Sequence, residues 1–305
     1  MTSSIVSINT IASSDVLRGI ETSVLLELHD KVILSALLTN AEAWTLTSGN
    51  KDDLNKTEVQ ALKFMFDLPA HTPTPAIIYS FGTIYTHLRF DQKRLIYLHR
   101  LLNSEDNTWT KRTLMTLIHL NIGWGKSIME TLSDYDLPTN LETIRRETKR
   151  RWKRIIKERV EVKNRIRLHD DCHKKENGVL TPKTKTKHII QHLNGNTYQR
   201  APLNEILYCT KQQTKTILIA RFGMLECGKN FKGSLKETCT QCNEIDNEDH
   251  RLNHCRKYQD INLYNSACKV NFNDVFSSNE QTVRNIIAHI EKVWNVKTAH
   301  GTMQG

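Results

Sequence analysis

Apolar side chains recur every three to four positions along most of this chain. Before residue 110, three segments carry the pattern, residues 16–44, 54–66 and 79–103. This spacing places apolar side chains on one face of an α-helix. We therefore predict three amphipathic helices that together form a unit of ordinary domain size.

The middle of the chain is more polar. The stretch TLMTLIHLNIGWG, from residue 113, fits either helix or strand, and a helical pattern resumes in residues 145–167. Five apolar side chains are predicted to share the inner face of that helix, namely Trp152, Ile155, Ile156, Val162 and Ile166. Residues from 174 onward, KKENGVLTPKTKTK, lack apolar periodicity and contain Gly178 and Pro182, which predicts a flexible polar linker.

Two further helices are predicted in the last third of the chain. Residues 203–225 show helical spacing, and a final helix follows Ser278, which forms a candidate capping box with Gln281. The apolar stripe of this final helix comprises Val283, Ile286, Ile287, Ile290, Val293 and Trp294. The predicted fold class is therefore mainly α.

Composition adds a concentrated positive charge to this picture. The 305 residues include 43 Lys and Arg against 33 Asp and Glu, and twelve basic residues against three glutamates lie within residues 145–167. Such a cluster exceeds what solubility requires and is typical of helices that neutralise nucleic-acid phosphates. The predicted contacts are Arg145, Arg146, Lys149, Arg150, Arg151, Lys153, Arg154, Lys157, Arg159, Lys163, Arg165 and Arg167, with Trp152 stacking on a base.

The sequence also limits where the protein works. It contains no run of eighteen apolar residues and no signal-peptide pattern near Met1. Its seven cysteines are an odd number, which argues against a disulfide framework. We expect an intracellular protein, in the nucleus or cytoplasm, that is neither secreted nor bound to a membrane.

Three of the cysteines belong to a segment with metal-ligand spacing, CTQCNEIDNEDHRLNHC. Cys239, Cys242, His250 and Cys255 form a Cys-x2-Cys-x7-His-x4-Cys pattern, with His254 as an alternative ligand. Thiolates paired in a tight turn, with a later His and Cys, suit tetrahedral Zn²⁺. Because the segment has few apolar residues, bound zinc would supply much of its folding free energy. We predict a zinc knuckle over residues 239–255. The basic residues near it would add a second nucleic-acid contact, namely Lys229, Lys232, Lys236, Arg251, Arg256 and Lys257.

These motifs resemble the C-terminal part of the reverse transcriptase polyproteins of non-long-terminal-repeat retrotransposons. The knuckle spacing is similar to theirs, and ARFGMLECGKNFKGSLKETCTQC resembles the arginine-containing helix that precedes it. LLTNAEAWTLTSGNKDDLNKTEVQALKFMFDLPAHTPTPAIIYSFG resembles the region after their polymerase palm. The resemblance implies a helical thumb-like domain (1–140), a basic helix and polar linker (141–200), and a zinc-knuckle unit with a terminal helix (201–305).

The sequence departs from that family in its acidic motifs. A polymerase holds two magnesium ions with paired carboxylates, in this family after an aromatic residue on a hairpin. Asp52-Asp53 begins a predicted helix, and Asp170-Asp171 follows a leucine and a histidine, so both are predicted to be solvated acidic pairs. We therefore expect no catalytic residues, and a remnant or descendant that lacks the palm rather than an enzyme.

The predicted function is non-specific, backbone-dominated binding of RNA or DNA. Three alternatives remain open. The chain is one piece of an active RNA-directed DNA polymerase whose palm is encoded upstream, or a decayed element, or a module in which zinc organises a protein-binding surface. In the last case the final helix would dock a protein partner through Val283, Ile287, Ile290 and Trp294.

Two other groups of reactive residues are predicted to be structural. The segment HDDCHKK, residues 169–175, mixes ligand types without paired-turn spacing, so we predict a solvated helix end. Cys209 and Cys227 flank apolar residues and are predicted to be core or neutral surface thiols.

Overall fold

The computed structural model describes residues 19–176, 179–182, 186, 206–225, 227, 238–256, 275 and 279–301. Helices predominate among them, which confirms the mainly α class. The described residues fall into two compact units. The helical unit draws on Glu27–Leu62 and Pro73–Tyr198, and the C-terminal unit on Met1–Leu26, Lys63–Thr72 and Gln199–Gly305. The three-part division at residues 140 and 200 stays a prediction.

The first predicted helix is continuous but not uniform. It runs as α1 (Thr22–Leu28), a π-helical segment π1 (His29–Leu34) and a short α2 (Ser35–Leu37). Its exposed side includes Val24, Leu28 and Val32, and its buried side includes Leu25 and Ile33. The apolar stripe of the sequence is therefore wider than the surface that this helix buries.

The third predicted helix is two helices in the structure. After α3 (Ser48–Met65) come α4 (Thr74–Ser80) and α5 (Thr86–Leu102). Pro75 lies in the first turn of α4, where its missing N–H costs nothing. Gly82 then adopts φ +58°, a left-handed conformation that ends α4. The prediction of one helix over residues 79–103 is wrong at its start, because the chain turns at Gly82 and α5 begins only at Thr86.

The ambiguous middle stretch forms a helical hairpin. Helices α6 (Trp109–His119) and α7 (Gly123–Asp134) pack against each other. Gly125 lies at their closest approach, because a Cβ there would be 2.3 Å from the carbonyl carbon of Leu117. The absence of a side chain at this position lets the two helices meet.

The basic segment divides into α8 (Leu141–Arg146) and α9 (Lys149–Cys172). Asn140 caps α8 by accepting hydrogen bonds from the N–H groups of Glu142 and Thr143, and Thr148 caps α9 by accepting one from Arg151 N–H. These two caps explain why one charged stretch gives two helices.

Helix α9 packs on α5 and α4 with a stripe that differs from the predicted one. The buried side chains recur at every fourth position: Trp152, Ile156, Val160, Asn164, Leu168 and Cys172. Val162 and Ile166, predicted to lie on the inner face, are 46% and 52% exposed. Four residues turn an α-helix by roughly 400°, so this stripe spirals around α9 as the helix passes from one neighbour to the next. A polar residue, Asn164, occupies one of its positions and accepts a hydrogen bond from Tyr85 N–H at 3.2 Å.

The predicted linker begins with a β-hairpin. Strands β1 (His173–Glu176) and β2 (Val179–Pro182) pair antiparallel, with His173 opposite Pro182 and Glu176 opposite Val179. The prediction of a structureless linker is therefore wrong for these residues. Apolar periodicity did not reveal the hairpin because only Val179 and Leu180 are apolar.

The C-terminal unit contains α10 (Lys211–Arg221), a π-helical turn π2 (His250–His254) and α11 (Glu280–Gly301). A capping box formed by Thr210 and Gln213 begins α10. The capping box predicted at Ser278 lies outside the described residues, and the Asn279 side chain accepts a hydrogen bond from Thr282 N–H at 3.1 Å.

The core of this unit joins α10 and α11 to the cysteine-rich loop. It comprises Ala220, Leu225, Leu252, Cys255, Val275, Ile286, Ile290 and Val293. The apolar face of α11 is thus covered within the chain, and Val283 and Ile287 are buried as well. These side chains are not exposed for the protein partner suggested by the sequence. The side chain of Trp294 lies outside the described residues. Among the described helices, none has the length and apolarity needed to cross a membrane.

Candidate metal centre and basic surface

The cysteine-rich loop begins with a tight turn. The N–H of Cys239 donates to the carbonyl of Glu244 at 2.8 Å, and the N–H of Asn243 donates to the carbonyl of Cys239 at 2.9 Å. Asn243 adopts φ +56°, a left-handed conformation that Asn tolerates better than most residues. The turn closes with an antiparallel bridge between Thr238 and Ile245. The turn therefore places Cys239 and Cys242 on the same side of the loop.

Four side chains converge beside this turn. The ligand atoms of Cys239, Cys242, His250 and Cys255 all lie within 4.8 Å of one another. The Sγ atoms of Cys239 and Cys255 are 3.7 Å apart, and neither forms a disulfide. Among the described residues no other group of three or more His, Cys, Asp and Glu side chains converges in this way. The four residues named from the sequence can hold a metal ion.

A glutamate orients the histidine of this group. His250 Nδ1 lies 2.7 Å from Glu244 Oε2, so the ring N–H donates to the carboxylate. His250 Nε2 is buried and makes no hydrogen bond within the described part of the chain. Nε2 is therefore the nitrogen left to bind a metal. The role of Glu244 was not predicted, because a loop glutamate has no distinctive spacing.

The alternative ligand His254 lies apart from the group. Its side chain is 44% exposed, and its Nδ1 is 3.6 Å from Asp249 Oδ2. Within π2, only His250 has its ligand atom among the cysteines, although an i,i+4 spacing would put both histidines near one face of the turn.

The Cys239 thiol lies in surroundings that favour its thiolate form. Burial raises the pKa of Cys239, but hydrogen bonds from the backbone N–H groups of Gln241 and Cys242 and from the Cys255 thiol outweigh it and lower the pKa to about 7. The N–H of Arg256 lies 3.4 Å from Cys242 Sγ. Thiolates are the form in which cysteine binds metals.

A buried ion pair lies within the cysteine-rich loop. The guanidinium of Arg251 contacts the carboxylate of Asp246 through both Nε and Nη2. Both residues are buried, so Arg251 does not form the nucleic-acid contact predicted for it, whereas Arg256 is exposed. Leu252 and Cys255 continue into the core that α11 covers. The cysteine-rich loop is therefore held by its own ion pair and by packing against the core of the C-terminal unit.

The basic helix α9 and the preceding α8 carry cations of two kinds. One group has acidic or aromatic neighbours: Arg145 with Glu142, Arg151 with Glu147, Arg154 with Glu158, Arg167 with Asp171, and Lys163 over the Tyr135 ring. The other group is exposed and makes no ion pair with any described residue: Arg146, Lys149, Arg150, Lys153, Lys157 and Arg159. Arg165 is also exposed. The unpaired cations are concentrated in the first half of α9 and just before it.

Trp152 does not contribute to this basic surface. It is 1% exposed, and its indole N–H donates to the carbonyl of Leu95 at 2.9 Å. The predicted stacking on a base is therefore replaced by packing between α9 and α5.

The acidic pairs differ from the prediction in one respect. Asp52 and Asp53 are exposed, as is Asp170. Asp171, however, accepts a hydrogen bond from the Tyr85 hydroxyl at 2.6 Å and pairs with Arg167. Burial, and then the charge of Asp171, raise the pKa of Tyr85. Asp171 thus ties the end of α9 to the start of α5.

The other three cysteines in the described part of the chain lie in the core. Cys172, Cys209 and Cys227 are all buried. The prediction that Cys209 and Cys227 are core or neutral surface thiols agrees with this burial. The segment HDDCHKK is not simply a solvated helix end, because Cys172 is in the core and the rings of His169 and His173 lie 4.2 Å apart.

Comparison of the chain with protein families, curated proteins and solved structures finds no match.

Proposed function

We propose that this protein binds RNA or DNA through the phosphate backbone and that its cysteine-rich loop is a Zn²⁺ knuckle. The observation that carries the proposal is the group of exposed cations along α8 and the first half of α9, which lack acidic partners among the described residues. The protein would thus be a non-catalytic, nucleic-acid-binding relative of the C-terminal part of non-long-terminal-repeat reverse transcriptases.

The ligand set and its spacing support zinc. Zn–S bonds are about 2.3 Å long, so two thiolates at the corners of a tetrahedron lie about 3.8 Å apart. The distance of 3.7 Å between the Sγ atoms of Cys239 and Cys255 fits this geometry. Three thiolates and one imidazole are a common structural zinc set. The carboxylate of Glu244 on the far nitrogen of His250 is the outer contact that zinc-bound histidines usually make.

The charge distribution supports nucleic acid as the partner. An exposed cation without a carboxylate neighbour breaks no ion pair when it binds a phosphate. Binding also releases counterions condensed on the nucleic acid, which favours association. Lys149, Lys153 and Lys157 follow one another at four-residue intervals, and Arg146 at the end of α8 and Arg150 are exposed nearby in sequence. A row of this kind follows a phosphate backbone without reading sequence.

The test measures binding of a labelled oligonucleotide by fluorescence anisotropy. The test variant replaces four unpaired cations with glutamine: Lys149, Arg150, Lys153 and Lys157. The control variant removes the same charge from four exposed positions away from α9: Lys31, Lys56, Arg112 and Lys126. We expect the first to lower affinity at least about a hundredfold at 0.1 M salt and the second to change it little. Equal losses in both variants would refute a specific basic surface.

Zinc is tested by metal analysis of the purified protein. We expect one zinc per chain, lost in Cys239→Ser/Cys242→Ser and retained in His254→Asn. Retention of zinc in the cysteine variant would refute the knuckle.

A second candidate function is a zinc-organised protein interaction module. One observation favours it, because Ile245 is 62% exposed at the base of the cysteine turn. Ile245→Ser would then abolish partner binding without changing zinc content or affinity for oligonucleotides.

A further inference from the structure

A groove lies between α5 and the start of α9 within the helical unit. Its volume is about 740 Å³, and its walls include Ile96, Tyr97 and His99 from α5 and Lys149 and Lys153 from α9. Cavities of roughly 300 to 1,000 Å³ enclose ligands the size of a drug molecule. The groove therefore has room for about one or two nucleotides. A duplex, whose major groove alone is about 12 Å wide, is too large to enter it.

The mouth of the groove is positively charged. Four cations line it: Lys93 and Arg100 from α5, and Lys149 and Lys153 from α9. Lys93 Nζ donates to the carbonyl of Leu38 at 3.1 Å, whereas Arg100, Lys149 and Lys153 are exposed and make no ion pair with a described residue. Two acidic residues also line the groove, but Glu147 is already paired with Arg151, which leaves Glu42. The balance favours an anionic ligand.

The inner wall of the groove has a fixed position and carries aromatic side chains. His99 is buried, its ring stacks on that of Trp152 with centroids 6.2 Å apart, and its Nε2 lies 2.8 Å from the carbonyl of Glu147. This hydrogen bond fixes the end of α8 against α5, so the start of α9 has a defined position over the groove. Tyr97, half-buried beside it, adds an aromatic ring to the wall. The N–H groups of the first turn of α9 add partial positive charge at the same edge.

We propose that this groove holds one or two nucleotides of a single RNA or DNA strand, with phosphates on Arg100, Lys149 and Lys153 and a base against Tyr97. The inference rests on the proposed function and makes it more specific, because a row of cations alone would bind duplex and single strand alike. Arg100 is the diagnostic residue, since it lies on α5 and outside the basic segment.

The experiment compares two single-charge variants of the full chain, Arg100→Gln and Lys157→Gln. Lys157 is exposed on α9 and does not line the groove. The probes are an oligouridine of about ten nucleotides and a duplex of the same length. Affinity for each is measured by anisotropy between roughly 50 and 200 mM salt.

We expect Arg100→Gln to weaken binding of the single strand about fivefold at 0.1 M salt, because losing one phosphate contact lowers the salt slope by about 0.7. Affinity for the duplex should be unchanged, and Arg100→Lys should restore affinity for the single strand. Lys157→Gln should lower the affinity for both probes to a similar degree. Tyr97→Leu should weaken the single strand about tenfold with an unchanged salt slope, because stacking releases no counterions.

The outcomes separate this inference from the proposed function. If Arg100→Gln binds the single strand like wild type while Lys157→Gln is weakened, the groove is refuted and the basic surface is not. If Arg100→Gln lowers the affinity for both probes equally, Arg100 does not discriminate between single strand and duplex, and the proposed role of the groove is again refuted. A wild-type protein that binds neither probe would overturn both proposals.

Discussion

The carboxylate of Glu244 lies 2.7 Å from Nδ1 of His250 and turns the other ring nitrogen toward three cysteines. Because this hydrogen bond fixes both the tautomer and the orientation of the ring, His250 is held ready for a metal before one binds. The candidate metal site thus includes a residue outside the Cys-x2-Cys-x7-His-x4-Cys pattern.

Replacing Glu244 should weaken the metal site without destroying it. We expect Glu244→Gln to lower affinity for zinc about tenfold to a hundredfold, because the amide orients the imidazole less strongly than a carboxylate. Competition with a chromophoric chelator measures this. Asp249→Asn is the matched control, since Asp249 neighbours the exposed His254, and should leave affinity unchanged. Equal affinity in wild type and Glu244→Gln would show that the carboxylate has no part in metal binding.

Trp152 should matter for stability and not for binding. Trp152→Phe keeps most of the buried ring area but removes the hydrogen bond to Leu95 and leaves that carbonyl buried. We expect the free energy of unfolding to fall by about 1 to 3 kcal/mol, measured by chemical denaturation. Affinity for oligonucleotides should stay within a factor of two, roughly 0.4 kcal/mol. A large loss of affinity at unchanged stability would restore the stacking role that the sequence suggested.

Gly125 should not tolerate a side chain. A Cβ would lie 2.3 Å from the Leu117 carbonyl carbon, so Gly125→Ala forces α6 and α7 apart. We expect a loss of about 1 to 3 kcal/mol in the free energy of unfolding. Gly49→Ala is the control, because the nearest atom to a Cβ there is 4.0 Å away, and it should be neutral or slightly stabilising. A neutral Gly125→Ala would contradict the close helix contact.

Stability of the helical unit should fall in mild acid through His87. Burial, followed by the charges of Lys51 and Arg167, lowers the pKa of His87 to about 4, and its ring also hydrogen-bonds Asn55. Above pH 6.5 the imidazole is neutral in both folded and unfolded states. As pH falls from 6.5 toward 4, the unfolded state takes up a proton that the folded state resists, so stability is lost.

Denaturation midpoints between pH 7 and 5 measure this effect. We expect wild type to lose about 1 to 2 kcal/mol more than His87→Gln over that interval. The comparison concerns the slope with pH, since the variant also loses hydrogen bonds and starts from a lower stability. Parallel pH profiles would show that the pKa of His87 is not lowered by folding.

Residue spacing predicted helices at the positions of α1, α3, α5, α9, α10 and α11, and it predicted the four converging ligands, because periodicity and paired-turn spacing are local properties. It could not predict which face of α9 is buried. That face follows neighbours far apart in sequence, which bury Asn164 and expose Val162. Nor could it reveal Glu244 as the partner of His250, or Arg100 beside the start of α9, because each depends on a contact between elements. The turn at Gly82 was missed because its left-handed conformation is a property of the backbone that apolar spacing does not record.

The salt dependence of nucleic-acid binding by the wild-type protein tests the central claim most directly. Six exposed cations lie along α8 and α9 without ion pairs among the described residues: Arg146, Lys149, Arg150, Lys153, Lys157 and Arg159. If most of them contact phosphates, log K against log salt for a single strand should have a slope of about −3 to −4. A slope shallower than about −1, or no binding at low salt, would contradict a basic surface that binds the phosphate backbone.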